Sequence, residues 1–315
     1  MAASSSRVQA VPVTLPATAT TLIDREEELA AARATLLRDG IRLLTLTGAP
    51  GVGKTRLAVA AAAEVAGAFA GGVVFVDLAP ITEPGQVSRV IAQRLGVRLR
   101  SAQPALDLLA RALREQHLLL VLDGFEHVVD AAADVAVLIA AAPQLKVLVT
   151  SREPLRLSWE HQLAVPPLRV PDLRRPLEPA AVAMAPAVML FLARAQAVDR
   201  TFTLTPANAQ AVAEICVGLD GLPLALELAA AQVKTLPPEA IRDRLDHRLT
   251  LLPDRCPPAG GGAAAVGQRR LRSIPTPRPA PGSCARGRRP AGSGHQAGGA
   301  PAARRRSPPR SPPAR

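Results

Sequence analysis

Eight consecutive residues, GAPGVGKT at positions 48–55, carry the densest chemistry of the chain. Glycines at 48, 51 and 53 let the backbone turn its N–H groups inward around an anion with no side chain in the way. Lys54 follows as a cation able to reach the β- and γ-phosphates, and the Thr55 hydroxyl is placed to ligate Mg2+. The expected ligand is therefore ATP or ADP with Mg2+. Its expected contacts are Gly48, Gly51, Val52, Gly53, Lys54, Thr55 and Arg56.

Three further residues sit where such a ligand would need them. Asp123 ends the apolar run LLLVLD and is expected to hold Mg2+, mostly through water, because that ion dehydrates reluctantly; the plainer reading is a strand-end cap. Glu126 is either the general base that polarises an attacking water or a solvated loop acid beside His127. Arg152 directly follows KVLVTS, so it emerges at the carboxyl edge of a sheet, where it either reads the γ-phosphate or stays a surface arginine. Pro223, in Gly221-Leu222-Pro223, is by itself a helix start, and Trp159 is most simply packing. The cysteines at 216, 256 and 284 and the five histidines show no metal-ligand spacing, so no structural metal site is expected.

The elements that must hold these residues alternate. Residues 24–38 read as a leading helix with Leu29, Leu36 and Leu37 near helical spacing and acids in its first turn. Apolar runs at 41–47, 73–77, 118–123 and 146–151 read as strands, with helical stretches between them and a weaker fifth run at 161–165. Continuous rather than alternating hydrophobicity predicts strands covered on both faces, hence a parallel sheet with crossover helices. A Pro-rich stretch at 166–179 then marks a boundary. Beyond it, Thr205-Pro206 predicts a helix start, with Val212, Ile215, Cys216 and Leu219 on the apolar face. Pro223 opens another helix with Leu224, Leu228 and Ala231 on one stripe, and residues 238–249 form a third.

Charge is distributed unevenly. Residues 1–252 hold 25 Lys+Arg and 25 Asp+Glu, whereas residues 253–315 hold 13 Lys+Arg and one acid, Asp254, so the net +12 arises in the tail. A neutral body argues against a polyanion-binding face on the ordered part. The tail has 13 Pro, 10 Gly and few large apolar residues, a composition that cannot offset its ordering entropy, and it is expected to be disordered. It could tether nucleic acid non-specifically through phosphates, without aromatic side chains for base stacking. The first twenty residues lack the apolar core of a signal peptide, and the longest apolar stretch, 180–193, falls short of a membrane span. A soluble cytoplasmic protein without membrane partners is expected. The resulting plan is α/β: a 1–21 linker, a P-loop NTPase domain with a parallel sheet flanked by helices at 22–170, a small all-α helical domain at 171–252, and the tail at 253–315.

Taken together, LIDREEELA (22–30), LLTLTGAPGVGKTRLA (43–58), VVFVDLAPITEP (73–84), LLLVLDGFEHV (118–128), VLVTSREPLRL (147–157) and AEICVGLDGLPLALELAAAQVKTLPPEAI (213–241) resemble the signal-transduction ATPases with numerous domains. The resemblance is close to the NB-ARC or AP-ATPase group found in bacterial transcriptional regulators of the LuxR and antibiotic-regulatory types. It implies a regulatory switch with slow ATP hydrolysis, Arg152 as sensor arginine, Pro223 as an adenine contact, the segment around Arg25 as part of the adenine pocket, and 171–252 as an ARC1-like domain. Two positions depart from that pattern: Asp24 stands where glycine is usual, and Gly124 where asparagine is usual. The winged-helix and helix-turn-helix domains that the resemblance implies are not legible after Leu252, and residues from about 253 read as an out-of-frame or truncated continuation. The expected protein partners are further copies of the chain, by self-association, or the missing effector domains. The alternative from the residues alone is a free-standing ATPase or kinase-like enzyme.

Overall fold

The computed structural model describes residues 15–17, 21–99 and 103–245, so the expectations for the rest of the linker, for the tail and for residues 246–249 of the last helix lie outside the described residues. Helix α1 (Glu26–Leu37) precedes strand β1 (Leu43–Thr47), and α2 (Lys54–Val65) leads to β2 (Val73–Asp77). Helices α3 (Val87–Arg94) and α4 (Ala105–Leu113) run to β3 (Leu119–Asp123), then α5 (Ala132–Ala141) to β4 (Lys146–Ser151) and β5 (His161–Ala164). The strands form one sheet in the order β2-β3-β4-β1-β5, every pair parallel.

The unbroken apolar runs are explained by two cores, one on each face of that sheet. Leu120 and Leu122 of β3 point into a core shared with Val87 and Ile91 of α3, Leu109 of α4 and Leu138 of α5. Leu119 and Val121, one residue out of phase, point into a second core with Leu36 of α1 and Leu57 and Ala61 of α2. Period-two alternation thus delivers the four apolar residues of β3 to one core or the other, each buried leucine contributing about 1.5–3 kcal/mol. β5 pairs only with β1 and is mostly exposed, as an edge strand can be. On α1 the buried residues are Ala32 and Leu36, while Leu37, expected on the same face, is 48% exposed. Adjacent helical positions differ by 100°, so only one of the two leucines can face the core.

A third core is built mainly from helices, with Leu168 of the preceding loop. It is built by α6 (Pro179–Ala183), α7 (Pro186–Val198), α8 (Ala209–Gly218), α9 (Pro223–Ala230) and α10 (Pro238–Leu245), with Phe191, Val212, Ile215, Cys216, Leu226 and Ile241 buried together. Two expectations are corrected here. α8 starts at Ala209, not after Thr205: the Asn208 side chain accepts the Thr205 N–H at 2.8 Å and its own N–H donates to the Thr205 carbonyl, closing a separate turn first. On α9 the buried face is Leu226, Ala229 and Ala230, not the stripe of Leu224, Leu228 and Ala231. Among the described residues no helix is long and apolar enough to cross a membrane.

Candidate functional site

The loop between β1 and α2 wraps around its own lysine. Lys54, the first residue of α2, is buried, and its Nζ donates to the carbonyls of Gly48 at 2.9 Å and Ala49 at 3.2 Å. Burial lowers the Lys54 pKa and Arg152 pushes in the same direction, while Glu126 and Asp123 oppose them. Glu126, Arg152 and Asp123 thus all act on the Lys54 charge. From the next residue, the Thr55 hydroxyl donates to Asp123 Oδ1 at 2.7 Å, joining the loop to the end of β3.

Register sets the neighbours of Asp123. Asp77 at the end of β2 is its partner across the parallel pair, and Thr150 lies on its other side near the end of β4. The Thr150 hydroxyl donates to Asp123 Oδ1 at 2.6 Å and accepts the Gly124 N–H at 3.0 Å. Two hydroxyl donors on one oxygen favour the ionised carboxylate, yet burial outweighs them, and with Asp77 and Glu126 adding repulsion the Asp123 pKa is raised. Thr150 and Asp77 were not singled out from sequence. Their signal was positional: each is a polar residue at the carboxyl end of an apolar strand, where this topology gathers its site.

Glu126 lies in a tight turn, Phe125–His127, anchored by the buried Phe125 ring. Its Oε1 accepts Arg152 Nε at 3.1 Å, and its Oε2 is buried with no protein partner. An orphaned buried carboxylate oxygen is costly unless a ligand or water completes it. The Thr55 hydroxyl and the Asp123 carboxylate form a separate donor set that fits Mg2+, which takes one or two carboxylates and draws its other ligands from water and phosphate. Among the described residues no group of three or more His, Cys, Asp or Glu side chains forms a metal cage from protein alone.

Strand, glycine loop, helix and strand-end aspartate thus stand in the order of a P-loop ATPase. Residues 37–154 match the AAA domain family model. The AAA domain so matched spans the loop, Asp123, Glu126 and Arg152, and ends before β5 and the helical core. The chain is 42% identical over 226 residues to the Mycobacterium tuberculosis protein named "Putative HTH-type transcriptional regulator Rv0890c", a match covering 71% of this chain and 23% of that one. It is 38% identical over 234 residues to "Uncharacterized protein Rv0894" of the same organism, covering 74% and 56%. The chain therefore spans about a quarter to just over half the length of these relatives. Among solved structures, a chain of the Drosophila ORC bound to DNA matches with a TM-score of 0.50 at 15% identity, over 74% of this chain and 69% of that one, a likeness of fold alone.

Two segments, one just before α1 and one at the start of α9, flank the phosphate loop. Arg25 is buried just before α1, where Nη2 donates to the carbonyls of Pro166 at 2.7 Å and Val52 at 3.4 Å and Nη1 pairs with Glu28 at 3.2 Å. Its guanidinium thus ties Val52 of the loop to Pro166. Arg25 also lines a cavity of about 370 Å3 with Leu22, Leu29, Arg56 and Ala60. Pro223 is the first residue of α9, and the N–H of the next residue, Leu224, donates to the Gly51 carbonyl at 3.1 Å.

Both departures from the resembled pattern fall on left-handed backbone. Asp24 has φ 53° and its carboxylate takes a forked pair of hydrogen bonds from Arg169; Gly124 has φ 77°. Asp, Asn and Gly are the residues that visit this region at least cost, so each exchange leaves the chain path available.

Proposed function

We propose that this chain is the nucleotide-operated part of a regulatory switch ATPase of the signal-transduction type, with residues 22–170 binding ATP or ADP with Mg2+ and residues 171–252 responding to the bound nucleotide. The observation that carries the reading is the hydrogen bond from Leu224 to Gly51: a helix of the separate helical core rests on the phosphate loop itself. Occupancy of the loop is then mechanically tied to the position of that core.

In this reading the loop N–H groups from Gly48 to Thr55 cradle the phosphates, Lys54 meets the β- and γ-oxygens, and Thr55 and Asp123 hold Mg2+. The ion would neutralise charge on the phosphates. Glu126, with Arg152 occupying Oε1, offers Oε2 to a water that it polarises for slow hydrolysis. Arg152 is poised to leave that pair for a γ-phosphate. The cavity bounded by Leu22, Arg25, Leu29 and Arg56 receives the base, and Pro223 at the start of α9 is assigned as a further adenine contact. The mycobacterial relative's name supports a place in a transcriptional regulator.

The deciding experiment is titration with fluorescent ADP and ATP, with and without Mg2+, on the parent and Lys54→Ala. Loss of affinity in the variant is expected; equal affinity overturns the reading. Turnover measured in parallel separates a switch from a free-standing enzyme, which would reach about 1 s⁻¹ or more, as kinases do.

A further inference from the structure

Arg56 occupies an uncomfortable position. It is in the first turn of α2, at the positive end of the helix dipole and two residues after Lys54, so a nearby anion stabilises a cation there. The structure supplies one from another element. Arg56 Nη1 lies 3.6 Å from Glu227 Oε1 on α9, and Nη2 donates to the Thr21 carbonyl at 3.1 Å. The same Glu227 oxygen takes Arg194 of α7, with Nε at 3.1 Å and Nη2 at 3.0 Å. One carboxylate oxygen thus joins the helix that follows the phosphate loop to two helices of the helical core.

The helical spacing sharpens this. Glu227 is three residues after Leu224, so it lies on the same side of α9 as the N–H bonded to Gly51. One turn of α9 touches the loop, and the next turn holds the arginine that lines the cavity beside it. The three charged side chains are only 28–32% exposed, so solvent screens them incompletely.

We propose that Glu227 is a positioning residue for the nucleotide site: by holding Arg56 at the cavity beside the phosphate loop, it makes nucleotide affinity depend on the docking of α9. This deepens the nucleotide-binding reading and rests on it. Arg56, preorganised by Glu227 and Thr21, meets the sugar and α-phosphate side of the ligand, and the helical core senses the ligand through the same ion pair.

The test is a double-mutant cycle on the full chain, read as the dissociation constant of fluorescent Mg-ADP. Glu227→Gln and Arg56→Gln are each expected to weaken binding about tenfold, and the double variant no further than either alone. Arg194→Gln removes the α7 partner of Glu227 and leaves Arg56 paired, so it is expected to stay within about twofold of the parent. Additive losses in the cycle, no loss in Glu227→Gln, or an equal loss in Arg194→Gln would overturn the proposal, the last by showing that Glu227 only packs α9 against α7. Lys54→Ala in the same assay keeps the two ideas apart. Binding that survives it sinks the nucleotide reading, whereas binding that depends on Lys54 but shows no Arg56–Glu227 coupling sinks only the role of Glu227.

Discussion

Leu224 and Gly51 meet twice, through the 3.1 Å hydrogen bond from the Leu224 N–H to the Gly51 carbonyl and through packing so close that a Cβ on Gly51 would lie 2.9 Å from the Leu224 Cβ. Gly51 also has φ 75°, where an L side chain is strained. Two independent penalties therefore act on any side chain at this position. Gly51→Ala is expected to cost on the order of 2 kcal/mol or more of stability, from left-handed strain plus overpacking. Urea denaturation would measure it, and amide exchange would locate it: the Leu224 N–H should exchange faster as α9 lifts from the loop. An unchanged Leu224 amide would mean that the contact does not hold in solution.

Glu126→Gln addresses the chemistry separately from binding. The substitution preserves shape but removes the charge facing Arg152 and replaces the orphaned Oε2 or its partner by an amide nitrogen. Single-turnover hydrolysis of Mg-ATP is expected to fall by about 10²–10⁴-fold, the usual contribution of a general base, while affinity stays within a few-fold. If hydrolysis were unaltered, the water would be polarised by another group.

Cys216 gives a pH prediction with a definite sign. It is fully buried in the helical core, and burial pushes its thiol from 9.0 up to about 12. The folded state thus holds the proton more tightly than the unfolded state. The associated stability is fully present below pH 9.0 and is lost as pH rises toward about 12. At pH 8 the folded thiolate fraction is lower by roughly a thousandfold, so alkylation of the Cys216 peptide should be slower than in the denatured chain by at least about a hundredfold. Peptide mapping distinguishes it from Cys256 and Cys284. Equal labelling in native and denatured protein would contradict its burial.

Much of this site could be read before folding because its chemistry is local. A glycine loop, a lysine and a threonine in eight residues need only a strand before and a helix after, and both are written in adjacent sequence. Asp123 and Arg152 were accessible for a related reason: each ends or follows an apolar run, and parallel strands bring their carboxyl ends to one edge. Leu224 was harder. Its spacing with Leu228 makes a good stripe, but periodicity identifies a face without naming what covers it, and the stripe that enters the core is Leu226, Ala229 and Ala230. The α8 boundary was shifted by turn chemistry: the Asn208 side chain accepts the Thr205 N–H, so residues 205–208 form a turn of their own and the regular helix begins at Ala209.

The run of residues along the chain sufficed for the parallel sheet, the phosphate loop and the separate helical segment, because hydrophobic period and glycine placement are properties of neighbours in sequence. It could not show that Thr150 and Thr55 share one oxygen of Asp123, at separations of 27 and 68 residues. Nor could it show that Glu126 keeps an unpartnered oxygen beside Arg152, or that Glu227 pairs with Arg56. Those relationships depend on strand register and on how a helical core seats against a loop. Both are settled by packing among residues far apart in the chain, where side-chain direction and distance, rather than composition, determine which charges meet.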